Sequence, residues 1–170
     1  VRSERGLDDG VAERLWYPLW DAKFKVGHAV RTVRETLALS ETDIETATAL
    51  MSARLIVGDA SLFDELVSGF EGQRAKRGKQ WLRKLAASAA ERGDAAGDVA
   101  HELEPDIKEG NGGLRSRHSI DWAEALGVAV EPADRERLEA AYELLLAVRV
   151  ELHRATSRPN NKLVLQDQDA

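Results

Sequence analysis

The spacing of apolar residues along the chain predicts a mainly helical protein with one short strand near its beginning. Residues 11–21 are apolar and aromatic, but Pro18 lies inside them, so any helix there is short or kinked. Residues 23–31 alternate between apolar and polar, which is typical of a half-buried β-strand. The residues that share one face of this predicted strand are Phe24, Val26, His28 and Val30.

Helical spacing follows from residue 40 onward. Ser40 followed by Asp43 predicts an N-cap with an acid in the first turn, and Gly58 predicts the end of that helix. Asp59 predicts the cap of a second helix, and a third, basic helix closes near Gly93. The apolar positions are Ile44, Ala47, Met51 and Leu55 in the first helix, Leu62, Phe63, Leu66, Val67 and Phe70 in the second, and Trp81, Leu82 and Leu85 in the third.

Two more helices are predicted after a break at Glu104–Pro105, because the residue before a proline disfavours helical backbone. One runs from about Leu114 to Leu126 and ends at Gly127, and the last is stopped by Pro159. The whole pattern predicts a mainly α fold, a helical bundle with a short strand-containing N-terminal piece. The last helix has the longest apolar stripe: Leu138, Ala141, Leu145, Val148 and Leu152.

Composition narrows the class of protein. The 170 residues are 43% apolar and 32% charged, as in a globular domain with a sizeable core. No apolar run is long enough to span a membrane, and a net charge of −6 argues against a general nucleic-acid binder. Cysteine is absent, which excludes disulfides and thiolate chemistry within the chain. We therefore expect a cytoplasmic protein, and a fragment of a longer one, because the chain starts at Val1 rather than methionine.

Charge is unevenly distributed along the predicted helices. Residues 41–70 carry six acids and one base, whereas residues 71–92 carry seven bases and two acids. The two blocks could pair in the fold, or the basic block could present a docking surface. The candidate partner surface consists of Arg74, Lys76, Arg77, Trp81 and Lys84.

A glycine-rich stretch, "KEGNGGLR" at residues 108–115, interrupts the helices between two cations. It matches neither the phosphate loop of P-loop proteins nor the dinucleotide fingerprint. A helix starts directly after it, and free N–H groups at a helix N-terminus attract anions. The residues predicted to bind nucleotide phosphate are Lys108, Gly112, Gly113 and Arg115; the alternative is a structural turn.

Other candidate chemistry is weak. The acid-x-acid pairs at residues 102–104 and 167–169 lack a strand that would fix two carboxylates on a metal. We expect no catalytic residue and no metal ligand in this chain. The four histidines are scattered, without a metal-binding spacing: His28, His101, His118 and His153.

Four stretches in this order resemble the central part of bacterial protein-PII uridylyltransferase/uridylyl-removing enzymes. They are "LWYPLWDAKFKVGHAVRT" at 15–32, "ATALMSARLIVGD" at 47–59, "LEPDIKEGNGGLR" at 103–115 and "SRPNNKLVLQDQ" at 157–168. The resemblance covers nearly the whole chain. The family's loop usually has a proline where this chain has Asn111 and an aspartate where it has Ser116. This chain therefore departs from the family pattern at two positions.

The resemblance implies that residues 1–39 end a nucleotidyltransferase domain and that residues 40–170 form the helical domain beside it. It implies a parent enzyme that uses Mg²⁺ and transfers UMP from UTP, or AMP from ATP, to a tyrosine of a PII signalling protein in nitrogen regulation. The acidic pair and the His-Asp site of the family's two activities are absent from this chain, so the chain alone is predicted to be inactive.

Two roles for the helical domain follow from the resemblance. In the first, it forms a wall of the nucleotide cleft, with Lys108 and Arg115 facing the triphosphate. In the second, it is a non-catalytic interaction module that positions PII and couples the catalytic and sensor domains of the parent chain.

Overall fold

The computed structural model describes residues 10–168, and these residues form seven α-helices. The predicted mainly helical fold is therefore confirmed. None of the described helices is long and apolar enough to cross a membrane. The helices are α1 (Val11–Asp21), α2 (Val33–Ser40), α3 (Ile44–Met51), α4 (Ala60–Ala96), α5 (Leu114–Ala125), α6 (Pro132–Thr156) and α7 (Leu165–Gln168).

The chain divides into two compact units, Val1–Gly78 and Lys79–Ala170, and their boundary falls inside α4. The predicted domain boundary between residues 39 and 40 lies within the first unit. The assignment of residues 1–39 to a nucleotidyltransferase domain stays a prediction, and residues 1–9 of that piece lie outside the described residues.

Residues 24–31 form no strand, so the strand predicted for residues 23–31 is wrong. They run as irregular chain between α1 and α2. A strand needs a neighbour for its backbone hydrogen bonds, and no other strand exists within residues 10–168. The ring of His28 instead lies beside two tryptophans of α1, with centroids 4.9 Å from Trp20 and 5.5 Å from Trp16.

Helix α2 was not predicted from apolar spacing, yet it begins with a strong cap. The Thr32 hydroxyl accepts a hydrogen bond from the Glu35 amide at 3.1 Å, and the Glu35 carboxylate accepts one from the Thr32 amide at 2.7 Å. This reciprocal capping box satisfies two amides that a helix start otherwise leaves without partners. The cap fixes where the helix begins.

Ser40 ends α2 rather than capping the next helix, which corrects its predicted role. The cap of α3 is Asp43, whose carboxylate accepts a hydrogen bond from the Thr46 amide at 2.8 Å. Ser40 is fully buried, and its hydroxyl lies 2.7 Å from the side-chain oxygen of Gln73 on α4. Close packing explains the buried serine, because a larger side chain would separate α2 from α4.

Helix α4 is one continuous helix of 37 residues, although two helices were predicted there. Asp59 does cap its start, since the carboxylate accepts a hydrogen bond from the Ser61 amide at 2.9 Å. Its glycines disfavour a helix by about 1 kcal/mol each, which tertiary packing readily overcomes. The side chains that supply this packing are Leu66 and Phe70 in the first unit and Trp81 and Leu85 in the second, all buried.

The second unit contains the two helices predicted at the end of the chain. Helix α5 stops before Gly127, whose φ is +94°, and α6 stops before Pro159. The two helices pack together through the N-terminal half of α6, where the Tyr142 ring lies 5.9 Å from that of His118. Of the predicted α6 stripe only Leu152 is buried; Leu138, Leu145 and Val148 are half-buried and Ala141 is exposed.

Candidate functional site

The glycine-rich stretch forms a compact loop that enters α5, here called the Gly110 loop (residues 106–116). Asp106 starts it by accepting hydrogen bonds on one carboxylate oxygen from the amides of Lys108 (2.9 Å) and Glu109 (2.8 Å). The Gly110 amide donates to the Asp106 carbonyl at 3.0 Å. The aspartate therefore shapes the first half of the loop through local side-chain hydrogen bonds, as aspartates do in turns.

The N–H groups that were predicted to face an anion are engaged within the loop. The Gly113 amide donates to the Gly110 carbonyl at 2.9 Å, and the Gly112 amide donates to the Ser116 hydroxyl at 3.1 Å. The next two amides, of Leu114 and Arg115, donate to carbonyls of residues 107 and 108 at 3.1 and 3.0 Å. An anion at this helix start would have to displace these bonds.

Glycine is required in the loop for two different reasons. Gly112 has φ = +81°, in the left-handed region that side chains resist. At Gly113 a Cβ atom would lie 2.9 Å from the carbonyl oxygens of both Gly110 and Ile107. The two glycines therefore have a structural function that is independent of any ligand.

Two distant segments hold the Gly110 loop in place. On one side Asn111 exchanges hydrogen bonds with the chain after α4, donating to the Gly97 carbonyl at 2.8 Å and accepting from Val99 at 3.0 Å. On the other side the Ile107 amide donates to the Asn161 carbonyl at 2.9 Å. Ile107 is 2% exposed. Two of the four sequence stretches quoted above, at 103–115 and 157–168, thus meet in the fold.

The two cations of the loop share one carboxylate. Lys108 Nζ lies 2.8 Å from Glu109 Oε1, and Arg115 Nε lies 3.6 Å from the same oxygen. Partial burial acts to raise the pKa of Glu109, but the hydrogen bond and charge of Lys108, with Arg115, outweigh it, so the pKa lies below its usual value. Glu109 was not among the predicted site residues; only its position between the two cations signalled it.

Lys108, Gly112, Gly113 and Arg115 lie in one loop, with their amides engaged and the two positive charges partly neutralised by Glu109. Phosphate binding by these residues stays a prediction that now depends on the two side chains. The Arg115 side chain is 43% exposed and that of Lys108 is 33% exposed.

His118 lies on α5 one turn after Arg115. Burial lowers its pKa below the usual 6.5, and the positive charges of Arg115 and Arg117 lower it further. Its ring lies between those of Trp122, at 6.1 Å, and Tyr142, at 5.9 Å. These contacts make His118 a packing residue between α5 and α6. The lowered pKa favours its neutral form at neutral pH.

The candidate partner surface on α4 is changed by the fold. Trp81 is fully buried, so it belongs to the core and not to a docking surface. Arg74 pairs with Glu71 at 2.6 Å, and Arg77 pairs with Glu41. The second pair joins the acidic and basic blocks, as one of the two sequence interpretations expected. Lys76 is exposed and Lys84 is half-buried, and docking through these cations stays a prediction.

Candidate metal ligands do not cluster in the described part of the chain. Within residues 10–168, no three side chains of His, Asp or Glu come together in a way that could hold a metal ion. The Mg²⁺ that the resemblance implies for the parent enzyme stays a prediction.

Comparison with known proteins identifies what the chain is similar to. A family model described as GlnD PII-uridylyltransferase matches residues 79–170, the same range as the second compact unit. The bifunctional uridylyltransferase/uridylyl-removing enzyme of Mycobacterium tuberculosis H37Rv is 37% identical over 166 residues, which is 94% of this chain and 20% of that protein. No solved structure matches the chain.

Further relatives with the same description give the same result. The Caulobacter vibrioides protein is 36% identical over 168 residues, covering 91% of this chain and 18% of its own length. The Streptomyces coelicolor protein is 37% identical over 172 residues, covering 96% of this chain and 20% of its own length. The chain thus spans about one fifth of the length of the curated relatives it matches.

Proposed function

This chain belongs to the GlnD PII-uridylyltransferase family, and on that premise we propose that it is the helical region of an enzyme that uridylylates a PII signalling protein. The intact protein would transfer UMP from UTP to a tyrosine of PII in the cytoplasm, and its second activity would remove the UMP. PII and the rest of the parent polypeptide are the proposed partners.

Within that enzyme, the proposed role of this chain is to form a rigid helical wall beside the nucleotide cleft. The observation that carries this role is the hydrogen bonding of the Gly110 loop. Its amides are engaged internally, and residues 97–99 and 161–163 hold it from two sides. A loop that is fixed in this way connects the start of α5 to the chain after α4 and to the chain after α6.

A second candidate role, direct contact with the nucleotide, is favoured by a different observation. Lys108 and Arg115 share a single carboxylate, so the three side chains keep a net charge of +1 if all are ionised. Arginine binds phosphate through two parallel hydrogen bonds. Moving Arg115 from Glu109 to a phosphate would cost little, since partly exposed ion pairs contribute roughly 0–1 kcal/mol.

Substitution of Arg115 in the intact protein separates the two roles. If the loop is structural, Arg115→Ala leaves the KM for UTP within about twofold of the unsubstituted protein, because no phosphate contact is lost. If Arg115 binds phosphate, the loss of a charged hydrogen bond worth roughly 1.5–3 kcal/mol weakens UTP use by roughly 10- to 100-fold.

Uridylylation kinetics and melting temperature should be measured on the same preparations. Arg137→Ala is the matched control, because Arg137 is an 81% exposed cation on α6 that pairs only weakly, at 3.3 Å, with Asp134. If Arg115→Ala weakens UTP use tenfold and leaves the melting temperature unchanged, the purely structural role is excluded. No uridylylation of PII by the intact, folded protein would contradict the enzyme proposal itself.

A further inference from the structure

The C-terminal half of α6 and the chain from Leu163 to Gln168 enclose a groove, here called the α6 groove. Its volume is about 790 Å³. Its floor is apolar, and two carboxylates also line it. The apolar lining includes Val148, Leu152, Ala155 and Leu163, and the carboxylates are Glu151 and Asp167.

Within residues 10–168, the four-residue helix α7 lies beside this half of α6 and lines the groove through Asp167 and Gln168. The N-terminal half of α6 packs against α5, but Leu144 is 65% exposed, and Ala155 in the groove is also exposed. Residues 144, 148, 152 and 155 lie on one helix face because they are three or four positions apart. Leu152 on this face is buried, but Leu144 and Ala155 remain in contact with water. Because exposed apolar surface is unfavourable, exposed apolar grooves commonly mark interaction sites.

We propose that the α6 groove is filled, in the intact protein, by a cationic amphipathic segment of the same polypeptide from outside these 170 residues. Apolar side chains of that segment pack on the floor, and a Lys or Arg pairs with Glu151 and Asp167. Helices with apolar anchors bind hydrophobic grooves in this way. The inference goes beyond the proposed function and does not depend on which nucleotide role is correct.

Charge and chain length select this occupant. A second copy of the chain would bring two pairs of groove carboxylates together in a protein whose net charge is already −6, and like charges oppose association. The relatives are about five times as long as this chain, so most of a parent polypeptide is available as a tethered partner. Tethering raises the effective concentration to the millimolar range, which suffices for a shallow groove.

The existing partner of Glu151 does not prevent this pairing. Glu151 pairs with Arg154, but both side chains are about 70% exposed, at 69% and 71%. Exposed pairs one turn apart on a helix contribute little to stability. A cation brought in by the tethered segment can therefore replace or join Arg154 at low cost.

Cysteine labelling tests the proposal directly, because the chain contains no cysteine of its own. Ala155→Cys places a thiol in the groove, and Ala140→Cys places a matched thiol on an exposed α6 position outside it. Labelling by a soluble maleimide is measured by peptide mass spectrometry, in the intact protein and in the 170-residue chain. Circular dichroism of each variant confirms that it is folded.

We expect Ala155→Cys to react at least about tenfold more slowly in the intact protein than in the 170-residue chain, since a groove covered for nine-tenths of the time leaves only one-tenth reactive. Ala140→Cys should react at similar rates in both. Equal rates at Ala155→Cys would overturn the proposal. Protection that requires high protein concentration would assign the groove to a second copy, and protection only with added PII would assign it to PII; either result also overturns it.

Charge reversal tests the cationic character of the segment. In the intact Ala155→Cys protein, adding Asp167→Lys should restore labelling severalfold, because it places a positive charge where the segment presents one. Adding Glu143→Lys, which reverses an exposed charge on α6 outside the groove, should not. If neither substitution restores labelling and the Ala155→Cys thiol stays protected, the occupant of the groove is not cationic, and the proposed chemistry is contradicted.

Discussion

At the scale of single residues, Gly113 occupies a position that has no room for a side chain. A Cβ atom there would lie 2.9 to 3.0 Å from three backbone carbonyl oxygens, and a backbone cannot move aside as a flexible side chain can. We expect Gly113→Ala to destabilise the second unit by roughly 1–3 kcal/mol, the usual cost of overpacking.

The matched control is Gly72→Ala, on α4, where a Cβ atom would meet nothing within 4 Å. Removing a helical glycine there should stabilise the protein by roughly 0.5–1 kcal/mol. Denaturant unfolding of both variants measures the difference. If Gly113→Ala lowers the free energy of unfolding no more than a surface substitution does, the loop can accommodate a Cβ atom at this position, contrary to the structure.

His118 gives the stability of the protein a pH dependence. Burial, and then the charges of Arg115 and Arg117, lower the pKa of His118 in the folded state below its usual 6.5. The unfolded chain therefore binds this proton more readily. The stabilisation is complete above pH 6.5 and is lost as the pH falls through the folded-state pKa.

The measurement compares the unsubstituted protein with His118→Phe, which keeps a ring between Trp122 and Tyr142 but cannot take up a proton. Between about pH 7.5 and about pH 5.5, the melting temperature of the unsubstituted protein should fall further than that of the variant. An equal fall in both would show that other groups, such as carboxylates, cause the acid sensitivity.

The structure shows the contacts of Asn111 and Ser116, the two positions at which the family resemblance implies a different residue. Ser116 accepts a hydrogen bond from the Gly112 amide, and an aspartate at the same position could accept the same bond. Asn111 adds a weak side-chain bond of 3.4 Å to Asp98, which a proline could not make. The sequence alone identified both positions but not their partners.

At the scale of elements, the C-terminal half of α6 carries both a buried and an exposed leucine. Leu152 is 3% exposed, and we expect Leu152→Ala to cost roughly 2–5 kcal/mol of stability. Leu144→Ala, on the same helix, removes a side chain that is 65% exposed and should change stability by only about 0.5 kcal/mol in the isolated chain. Urea unfolding measures the loss of stability in both variants. Similar losses for Leu152→Ala and Leu144→Ala would contradict the burial of Leu152.

The helices were predictable where the apolar spacing was long and regular, as in α5 and α6. The T-x-x-E spacing of Thr32 and Glu35 is the sequence signal for the start of α2, whereas apolar spacing alone predicts no helix there. The alternation at 23–31 was misleading because a strand depends on a partner that the sequence of the segment cannot show. The continuity of α4 depends on buried contacts of Phe70 and Trp81, which outweigh the glycines between them.

At the scale of the whole molecule, the 170-residue chain is expected to be inactive on its own. It lacks the acidic pair of the transferase and the His-Asp site of the uridylyl-removing domain that the family resemblance implies. Incubation with PII, labelled UTP or ATP, and Mg²⁺ should give no more labelled PII than a protein-free reaction. Label transfer above that level would show that these residues include catalytic groups.

Family and fold class could be predicted for most of the chain because four short stretches and their order are recognisable. The candidate site could be located but not interpreted, since the engagement of the Gly112 and Gly113 amides depends on Ser116 and Gly110 adopting particular positions. The burial of Trp81 likewise requires contacts that no local pattern reveals.

The hydrogen bond from Ile107 to Asn161 has a consequence for synthesis on the ribosome. Asn161 is translated 54 positions after Ile107. At the usual 5–20 residues per second, the segment around Ile107 waits roughly 3–11 s for its partner. During that interval the Ile107 amide lacks this hydrogen-bond partner, and a pause in translation before Asn161 would lengthen the interval.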